Sequence, residues 1–511
     1  MTSALPAELL TMILSEHIND CSTLHSCILV NKSWFSIAIQ YLWADPFSLF
    51  CDNSHMMEMF KYIARDEKAK ILLTSFIECF MSMEEFLKNP AYLTKKHCKH
   101  PVFDYSNYLR ELDSSSITRV VGNCLFILDS HHRQERERIS GRIFLLATQY
   151  CQHWHTFSFR ATRPLIMTRL SKQLAKKDLS QLKKLTLDTH KPSKMVFDSL
   201  AKVAHNIKSL SIDTGRGSTY TFQTEPKDSL QNLIESQCRL RNITIGSIHS
   251  DMVLLLQLLK KKAHSLESIT LADVTLGLDK DQKPEYIEFP KLKSLDIKVS
   301  TSFPTRIMKN LLKLGLPNLR KLAWRNLDLP CATFIHKYGE TLVSLEISGG
   351  IDDTVCETIL QHCPRLTHLR TTLTSGDISA IAVLIARLPH LYSVKLQCSL
   401  CFYMDFPLDC LARYKLLQLR ELTLLGVYEI GATSLQNFLS KSKPPIELLI
   451  IDNQRPIHGK HFDVILDHLG SSLKTLRVNY YSLSAENVTK LERIADFDRF
   501  SPNEKLEDEI V

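Results

Sequence analysis

The chain has 511 residues, of which 44% are hydrophobic and 23% are charged, close to the average of globular proteins and unlike disordered segments. Its 63 basic and 55 acidic residues give a formal net charge of +8, which at this length is too small to indicate nucleic-acid binding by itself. Only 15 glycines are present, which argues against a fold built around glycine-rich phosphate loops.

The cysteines and the first residues indicate a cellular compartment. Fourteen cysteines are scattered without tandem pairs, and several, such as Cys27 and Cys356, fall within apolar stretches. This usage predicts free, buried thiols in a reducing environment. The first ten residues lack the basic flank of a signal peptide, and the longest apolar runs are far shorter than the ~20 residues that span a bilayer. We expect a cytoplasmic or nuclear protein without membrane association.

The first fifty residues contain three amphipathic helical segments. Pro6 suits the first turn of a helix over residues 7–18, where its missing N–H loses no hydrogen bond. The second segment carries Leu24 and Cys27, and the third carries Trp34. Because a unit this small buries too little surface to be very stable alone, one apolar face is expected to contact the rest of the chain or a partner.

Residues of these segments form an ordered set: Leu5-Pro6-Ala7-Glu8-Leu9-Leu10, then Ile13, Asp20 and Leu24, then Cys27, Val30-Asn31 and Trp34. The set resembles an F-box, and the following run over residues 42–47 resembles the end of F-box modules in large fungal-type families. The resemblance implies docking onto the Skp-type adaptor of an SCF-type (cullin–RING) ubiquitin ligase. The adaptor contacts that it implies are Leu5, Pro6, Glu8, Leu9, Ile13, Val30 and Trp34.

These residues have a second interpretation, in which they only hold the three helices together. That interpretation is strongest for Trp34 and weakest for Leu5 and Pro6. Either role makes Leu9→Asp or Trp34→Ala damaging, so the sequence does not separate docking from folding.

Residues 51–150 carry helical periodicity and predict a helical linker that caps the following repeats. His97, Cys98 and His100 are closely spaced, but no second Cys/His pair of conventional zinc-site spacing accompanies them. We therefore predict no metal and no cofactor.

One phrase recurs along the rest of the chain: an aliphatic residue, two mostly polar residues, an aliphatic, one variable residue and a last aliphatic. Its intervals run from 23 to 33 residues, and the longest contains an expected inserted loop over 215–225. An aromatic-rich copy at Trp154 precedes the series. The twelve copies begin at Leu182, Ile207, Leu240, Leu266, Leu292, Leu319, Leu342, Leu366, Leu391, Leu419, Ile446 and Leu473.

Each phrase predicts a short strand with one buried face, and amphipathic helical stretches lie between the phrases. The phrase resembles leucine-rich repeats, although the expected asparagine or cysteine after the last aliphatic is mostly absent and Thr371 replaces an aliphatic. We predict an α/β leucine-rich-repeat solenoid over 151–495, with parallel strands on the concave face and helices on the convex face. The preceding module occupies 1–50, and residues 496–511 are expected to form a flexible acidic tail.

The third, fifth and seventh positions of each phrase are expected to face the concave side. In the middle repeats these positions are basic in excess, against Asp296 and Glu346. One hypothesis is that they bind an acidic or phosphorylated protein segment; the other is a solvated sheet with binding elsewhere. No concave position holds an aromatic residue, which disfavours nucleic acid. The five basic residues are Lys298, Lys321, Arg325, Arg370 and Lys395.

No nucleophile elbow, phosphate-binding lysine loop or zinc-protease helix is present in the sequence. We therefore expect a substrate receptor without an active site of its own. The alternative is a protein-binding scaffold whose F-box-like segment docks elsewhere or caps the repeats, and an intrinsic enzyme ranks third.

Overall fold

The computed structural model describes residues 5–18, 20–47, 108–125, 133–151, 153–161, 164–189, 194–213, 227–246, 249–277, 286–301, 304–325, 331–349, 351–374, 377–453, 457, 459–478 and 496–499. The chain divides into two compact units, Met1–His249 and Ser250–Val511. The loop predicted over 215–225, the residues His97, Cys98 and His100, and most of the predicted linker lie outside the described residues.

The first unit opens with three short helices, α1 (Ala7–Ser15), α2 (Cys21–Ile28) and α3 (Lys32–Leu42). Side-chain oxygens begin two of them, because Asp20 accepts a hydrogen bond from the backbone of α2 and Asn31 accepts two from α3. Their shared core contains Leu14, Leu24, Cys27 and Ala38. We call these three helices the N-terminal module.

The rest of the first unit alternates strands with helices. Its strands pair in parallel in chain order, and each strand's buried side chains align with those of the next, as Phe157, Leu185 and Leu210 do. The elements are β1 (Glu111–Asp113), α4 (Ser114–Leu125), α5 (Arg133–Tyr150), β2 (Thr156–Ala161), α6 (Pro164–Leu174), β3 (Lys184–Thr189), α7 (Lys194–Val203), β4 (Ser209–Asp213), α8 (Lys227–Ser236) and β5 (Asn242–Gly246). A short strand, β6 (His249–Asp251), begins at the last residue of this unit.

The second unit continues the same alternation, and its strands from β7 onward pair in parallel, apart from a separate two-residue pair of β8 with β10. Its helices are α9 (Met252–Lys260), α10 (Pro304–Leu311), α11 (Cys331–Tyr338), α12 (Asp353–His362), α13 (Ile378–Arg387), α14 (Asp405–Leu411), α15 (Ala432–Ser442) and α16 (Gly459–Leu469). Its strands are β7 (Ser268–Gly277), β8 (Ile287–Glu288), β9 (Ser294–Thr301), β10 (Leu314–Gly315), β11 (Lys321–Trp324), β12 (Ser344–Ile347), β13 (His368–Leu373), β14 (Ser393–Tyr403), β15 (Glu421–Glu429), β16 (Leu448–Asn453), β17 (Thr475–Val478) and β18 (Asp496–Arg499).

All twelve predicted phrases form strands of these two units, and their first, fourth and sixth positions are buried. The aromatic copy at Trp154 also forms a strand, β2, with Phe157 and Phe159 inside. Thr371, which replaces an aliphatic residue, is buried as well. A strand followed by a helix every ~26 residues buries its apolar face only against its neighbours, so this architecture is an α/β leucine-rich-repeat solenoid.

The parallel strands extend beyond the predicted bounds of the solenoid. Strand β1 lies within the predicted helical linker and pairs with β2. It escapes the sequence pattern because Ser114 takes the slot of the last aliphatic, where its hydroxyl accepts a hydrogen bond from the Arg160 N–H at 2.6 Å. Strand β18 begins at the first residue of the predicted tail, and Phe497 stands in register with Leu476 of β17.

Candidate protein-binding surfaces

The N-terminal module exposes much of its apolar surface. Among the described residues, twelve large hydrophobic side chains are exposed, and seven of these lie between residues 5 and 30. Such a concentration of exposed apolar side chains marks a protein interaction site more often than a solvated surface. We call the seven the N-terminal apolar face: Leu5, Leu9, Met12, Ile13, Ile18, Leu29 and Val30.

Helical spacing separates this face from the core of the module. Leu10 and Leu14, four residues apart, are buried on one side of α1. Leu9 and Ile13, also four residues apart, lie on another side and are 46% and 42% exposed. The core of the module is therefore complete without Leu9 and Ile13.

The other residues that the F-box resemblance singled out fall into two groups. Pro6 and Glu8 are exposed at the start of α1, and Val30 is 59% exposed after α2. Trp34 differs, because its side chain is half-buried against the core that contains Leu14. Its packing supports the fold of the module, whereas Val30 is available to a partner.

The module is joined to the first strand of its unit by hydrogen bonds. The Ala44 carbonyl accepts hydrogen bonds from the N–H groups of Arg110 and Glu111, both at 2.9 Å. The same pattern joins successive repeats, since the His155 carbonyl accepts from the next repeat in the same way. Phe47, at the end of this segment, is fully buried. The run after α3 thus covers the edge of β1, as an additional repeat would.

The predicted basic cluster lies on the sheet face opposite the helices, which we call the open face. In the row of fifth positions, Asp296, Ala323, Glu346, Arg370 and Lys395 stand in register on successive strands. Neighbouring strands lie ~4.8 Å apart, so side chains in this row are within reach of one another.

Two carboxylates of the open face pair with both arginines. The Arg325 guanidinium lies 3.5 Å from Asp296 Oδ2 and 3.2 Å from Glu346 Oε1. Arg370 Nε lies 3.6 Å from the same Glu346 oxygen. The two arginines and the two acids therefore form one network of ion pairs on the open face.

A row of charges also follows the edge where the strands begin. Lys293 pairs with Glu267 at 3.1 Å, and Glu447 lies between Arg420 at 3.5 Å and Lys474 at 2.6 Å. The hydrogen bond from Lys474 lowers the pKa of Glu447 and raises that of Lys474. Acids alternate with basic residues here, so this edge is mixed in charge.

Sequence reasoning missed a groove at this edge. It is a shallow concavity of about 640 Å³, open to solvent, formed by the turns that precede β13, β14 and β15. Arg365, His368, His390, Tyr392 and Arg420 line it, together with Leu417. We call it the turn groove. A signal was available, because Leu417 occupies a slot at which several other repeats carry proline.

The described residues include no group of three or more His, Cys, Asp or Glu side chains that could hold a metal ion. Burial raises the pKa of Cys331 to about 11 and that of Cys356 and Cys363 to about 12, which keeps these thiols protonated near neutral pH. Among the described helices, none has the length and apolar character needed to cross a membrane.

No family model matches the chain, and no curated protein matches it. Among solved structures, the yeast complex of Rad7 and Elc1 matches with a TM-score of 0.36 and 16% identity, over 71% of this chain and 88% of that one. The ectodomain of the Arabidopsis thaliana receptor kinase GASSHO1/SCHENGEN3 matches with a TM-score of 0.28 and 13% identity, over 70% and 45%. The Drosophila Toll–Spätzle complex matches with a TM-score of 0.26 and 13% identity, over 69% and 51%.

The strands, helices and period of the chain define its class. Its fold is a leucine-rich-repeat solenoid, in which each strand and helix pack against those of the neighbouring repeats. A helical module that exposes apolar side chains precedes the repeats.

Proposed function

We propose that the chain is the substrate-recognition subunit of an SCF-type ubiquitin ligase, with the N-terminal module docking a Skp-type adaptor and the repeats binding a protein substrate. The single observation that carries the proposal is the coincidence of two independent sets. The exposed apolar residues of the module include Leu5, Leu9, Ile13 and Val30, which the F-box resemblance had already singled out.

Exposure of these side chains favours docking over a purely structural role. A side chain that only held the helices together would be buried, as Leu10 and Leu14 are. Covering the apolar face with a partner removes that area from water, at about 25 cal/mol per Å². The face therefore has a physical reason to bind an apolar surface of the adaptor.

In this role the chain needs no catalytic residue. The ligase brings a ubiquitin-loaded enzyme to the adaptor, and the repeats hold the substrate. Linking the two sites raises the local concentration of substrate near that enzyme, which accelerates transfer without new chemistry. The consequence would be ubiquitin-dependent degradation or another outcome of ubiquitination.

The open face is our first candidate for the substrate. It carries Lys298, Lys321 and Lys395 in addition to Arg325 and Arg370, which are ion-paired with Asp296 and Glu346. If an acidic segment binds here, reversing Arg370 and Lys395 to glutamate weakens substrate binding. Unchanged binding would exclude this face.

The second candidate function is a leucine-rich-repeat scaffold without a ligase role. It is favoured by the hydrogen bonds from the β1 edge to Ala44, since a segment that covers a sheet edge has a structural use of its own. In that case the module is a cap, and its apolar face binds a different partner.

A pull-down with the purified Skp-type adaptor distinguishes the two functions. The full-length chain is compared with Leu9→Asp/Ile13→Asp and with Met195→Asp, a control that places one aspartate at an apolar position 49% exposed on α7. The proposal predicts that only the double variant loses the adaptor, while all three proteins keep the same circular dichroism. Equal adaptor binding by the double variant, or none by the folded wild type, would favour the scaffold.

A further inference from the structure

The turn groove is built from one repeated structural position. In four turns of the second unit a Pro-x-Leu sequence leads into the strand, beginning at Pro290, Pro317, Pro364 and Pro389. The residue after the proline points to the edge, and it is Arg365 in one groove turn and His390 in the next. The groove thus collects side chains of equivalent slots from three adjacent repeats.

The lining is cationic. It contains two guanidinium groups, Arg365 and Arg420, and two imidazoles, His368 and His390, but no carboxylate. Arg365 makes no ion pair with any residue that the structure describes. Glu447 holds Arg420 at 3.5 Å from outside the lining, and it is shared with Lys474. Arg365, Arg420 and Lys474 thus outnumber Glu447, and this local positive charge at the groove suits an anion.

The two arginines are spaced for a single ligand. They lead into β13 and β15, which flank β14, and Arg365 lies three residues before its strand whereas Arg420 lies one residue before its own, so their backbones are separated by two strand spacings of about 10 Å in total and by a further offset along the strands. Long arginine side chains from both sides can reach one anion between them. Guanidinium groups bind phosphate in a bidentate manner, which makes a phosphoryl group the best match for such a pair.

An apolar wall lies beside the cations. Leu417 is 64% exposed, and Tyr392 is exposed while its ring packs 6.2 Å from that of His368. Leu417 stands in the slot that holds proline in the four turns named above, and its N–H makes no backbone hydrogen bond with the described residues. The fold at this slot therefore does not require leucine, and an exposed leucine gains energy only when something covers it.

The backbone of the groove turns offers the ligand no unpaired strand edge. The N–H of Tyr392 donates to the Thr367 carbonyl at 2.8 Å, and the N–H of Arg420 donates to the Tyr392 carbonyl at 2.9 Å. The turns are thus already paired with one another, and a peptide cannot add to this edge as a further strand. A single tyrosine is also a poor platform for nucleic acid, which needs several stacking rings.

We propose that the turn groove binds a phosphorylated segment of the protein substrate, with the phosphate between Arg365 and Arg420 and an apolar side chain of the same segment against Leu417 and Tyr392. That the bound segment belongs to a ligase substrate rests on the proposed function. The binding itself requires no adaptor.

The test uses the full-length chain and degenerate peptide libraries that share a fixed central phosphoserine, serine or lysine. Binding of the fluorescently labelled libraries is followed by polarisation. The wild type should prefer the phosphoserine library. Loss of one charge-assisted contact in Arg365→Glu or Arg420→Gln should weaken binding by about tenfold or more.

Two further variants separate recognition from folding. Leu417→Pro restores the residue of the sister turns, so it should keep the fold by circular dichroism and still weaken phosphopeptide binding. Arg320 occupies the position equivalent to Arg420 in the turn before β11, outside the groove. The Arg320→Glu variant should therefore bind the phosphoserine library as the wild type does. Equal binding of the serine and phosphoserine libraries, or full binding by Arg365→Glu, would overturn the proposal.

A labelled poly-dT oligonucleotide and the adaptor complete the comparison. Oligonucleotide binding that depends on Arg365, without phosphopeptide binding, would assign the groove to nucleic acid and refute the inference. If the chain binds phosphopeptides but not the adaptor, phosphopeptide binding by the groove is supported and the ligase role is refuted. If the chain binds the adaptor but no phosphopeptide, only phosphopeptide binding by the groove is refuted.

Discussion

The negative charge of Glu346 is expected to stabilise the strands of the open face. Glu346 is the most buried acid described in the structure, 8% exposed on β12, and it faces two arginines. Replacing it with glutamine keeps its shape but removes the charge that both guanidiniums share. The Nε of Arg325, buried and 3.2 Å from the Glu346 carboxylate, would then face a neutral amide.

The expected loss lies between two limits. Exposed ion pairs contribute about 0.2–1 kcal/mol, whereas removing one partner of a buried pair costs about 3–5 kcal/mol. The Glu346 side chain is 11% exposed and its partners Arg325 and Arg370 are 26% and 20% exposed, which places this network between the limits. We predict that Glu346→Gln lowers the local free energy of unfolding by about 2 kcal/mol.

Hydrogen exchange measures this change where it occurs, since repeats open locally. A loss of about 2 kcal/mol corresponds to about 30-fold faster exchange of the amides in β11, β12 and β13. Asp296→Asn is the matched control. Asp296 pairs with Arg325 at 3.5 Å, whereas Glu346 pairs with both arginines, so the Asp296→Asn variant should accelerate exchange less. Exchange in β12 that does not change in Glu346→Gln, or changes more in Asp296→Asn, would refute the reasoning.

Three further changes have defined outcomes. Gly426→Ala places a Cβ about 2.2 Å from the Cys398 carbonyl at a φ of +123°, so we expect a loss of about 2–4 kcal/mol in urea unfolding; an unchanged midpoint would contradict the geometry. Cys238 is exposed, and Cys238→Ser should remove one rapidly reacting thiol from a native titration with a disulfide reagent, whereas the buried thiols of α11 and α12 should react only on unfolding. The depressed pKa of Glu447 means that its pair with Lys474 is present above the unfolded carboxyl pKa and is lost as the pH falls through the folded value. Lys474→Met should therefore raise the pKa of Glu447 in a carbon NMR titration, and no rise would remove Lys474 as the cause.

Much of the fold was predictable because each repeat carries its own pattern. The residues at the first, fourth and sixth positions are buried in all twelve predicted copies, including Trp324 and Thr371 at two of the sixth positions, and strand alternation alone determines which face they take. The strand at 111–113 was missed because its last aliphatic slot holds Ser114, whose burial is compensated by a hydrogen bond to a residue 46 positions away. Such a compensation is a tertiary contact, and no local pattern reports it.

The candidate sites were less predictable for the same reason. The repeat pattern predicts five basic residues on the open face, but it does not show that Glu346 pairs with both Arg325 and Arg370 across neighbouring strands. The turn groove combines Arg365 and Arg420, which are 55 residues apart in the chain. Exposure of Leu9 and Val30 also requires the packed module, although the resemblance to an F-box named both residues.

The central claim is that the N-terminal apolar face docks a Skp-type adaptor. The most direct measurement is hydrogen exchange of the full-length chain, free and with the adaptor in excess. We expect slower exchange in the peptides of α1 to α3, including Leu9 and Val30, and unchanged exchange in β12 to β17. Protection confined to the repeats, or no protection at an adaptor concentration that saturates an established F-box protein, would contradict it.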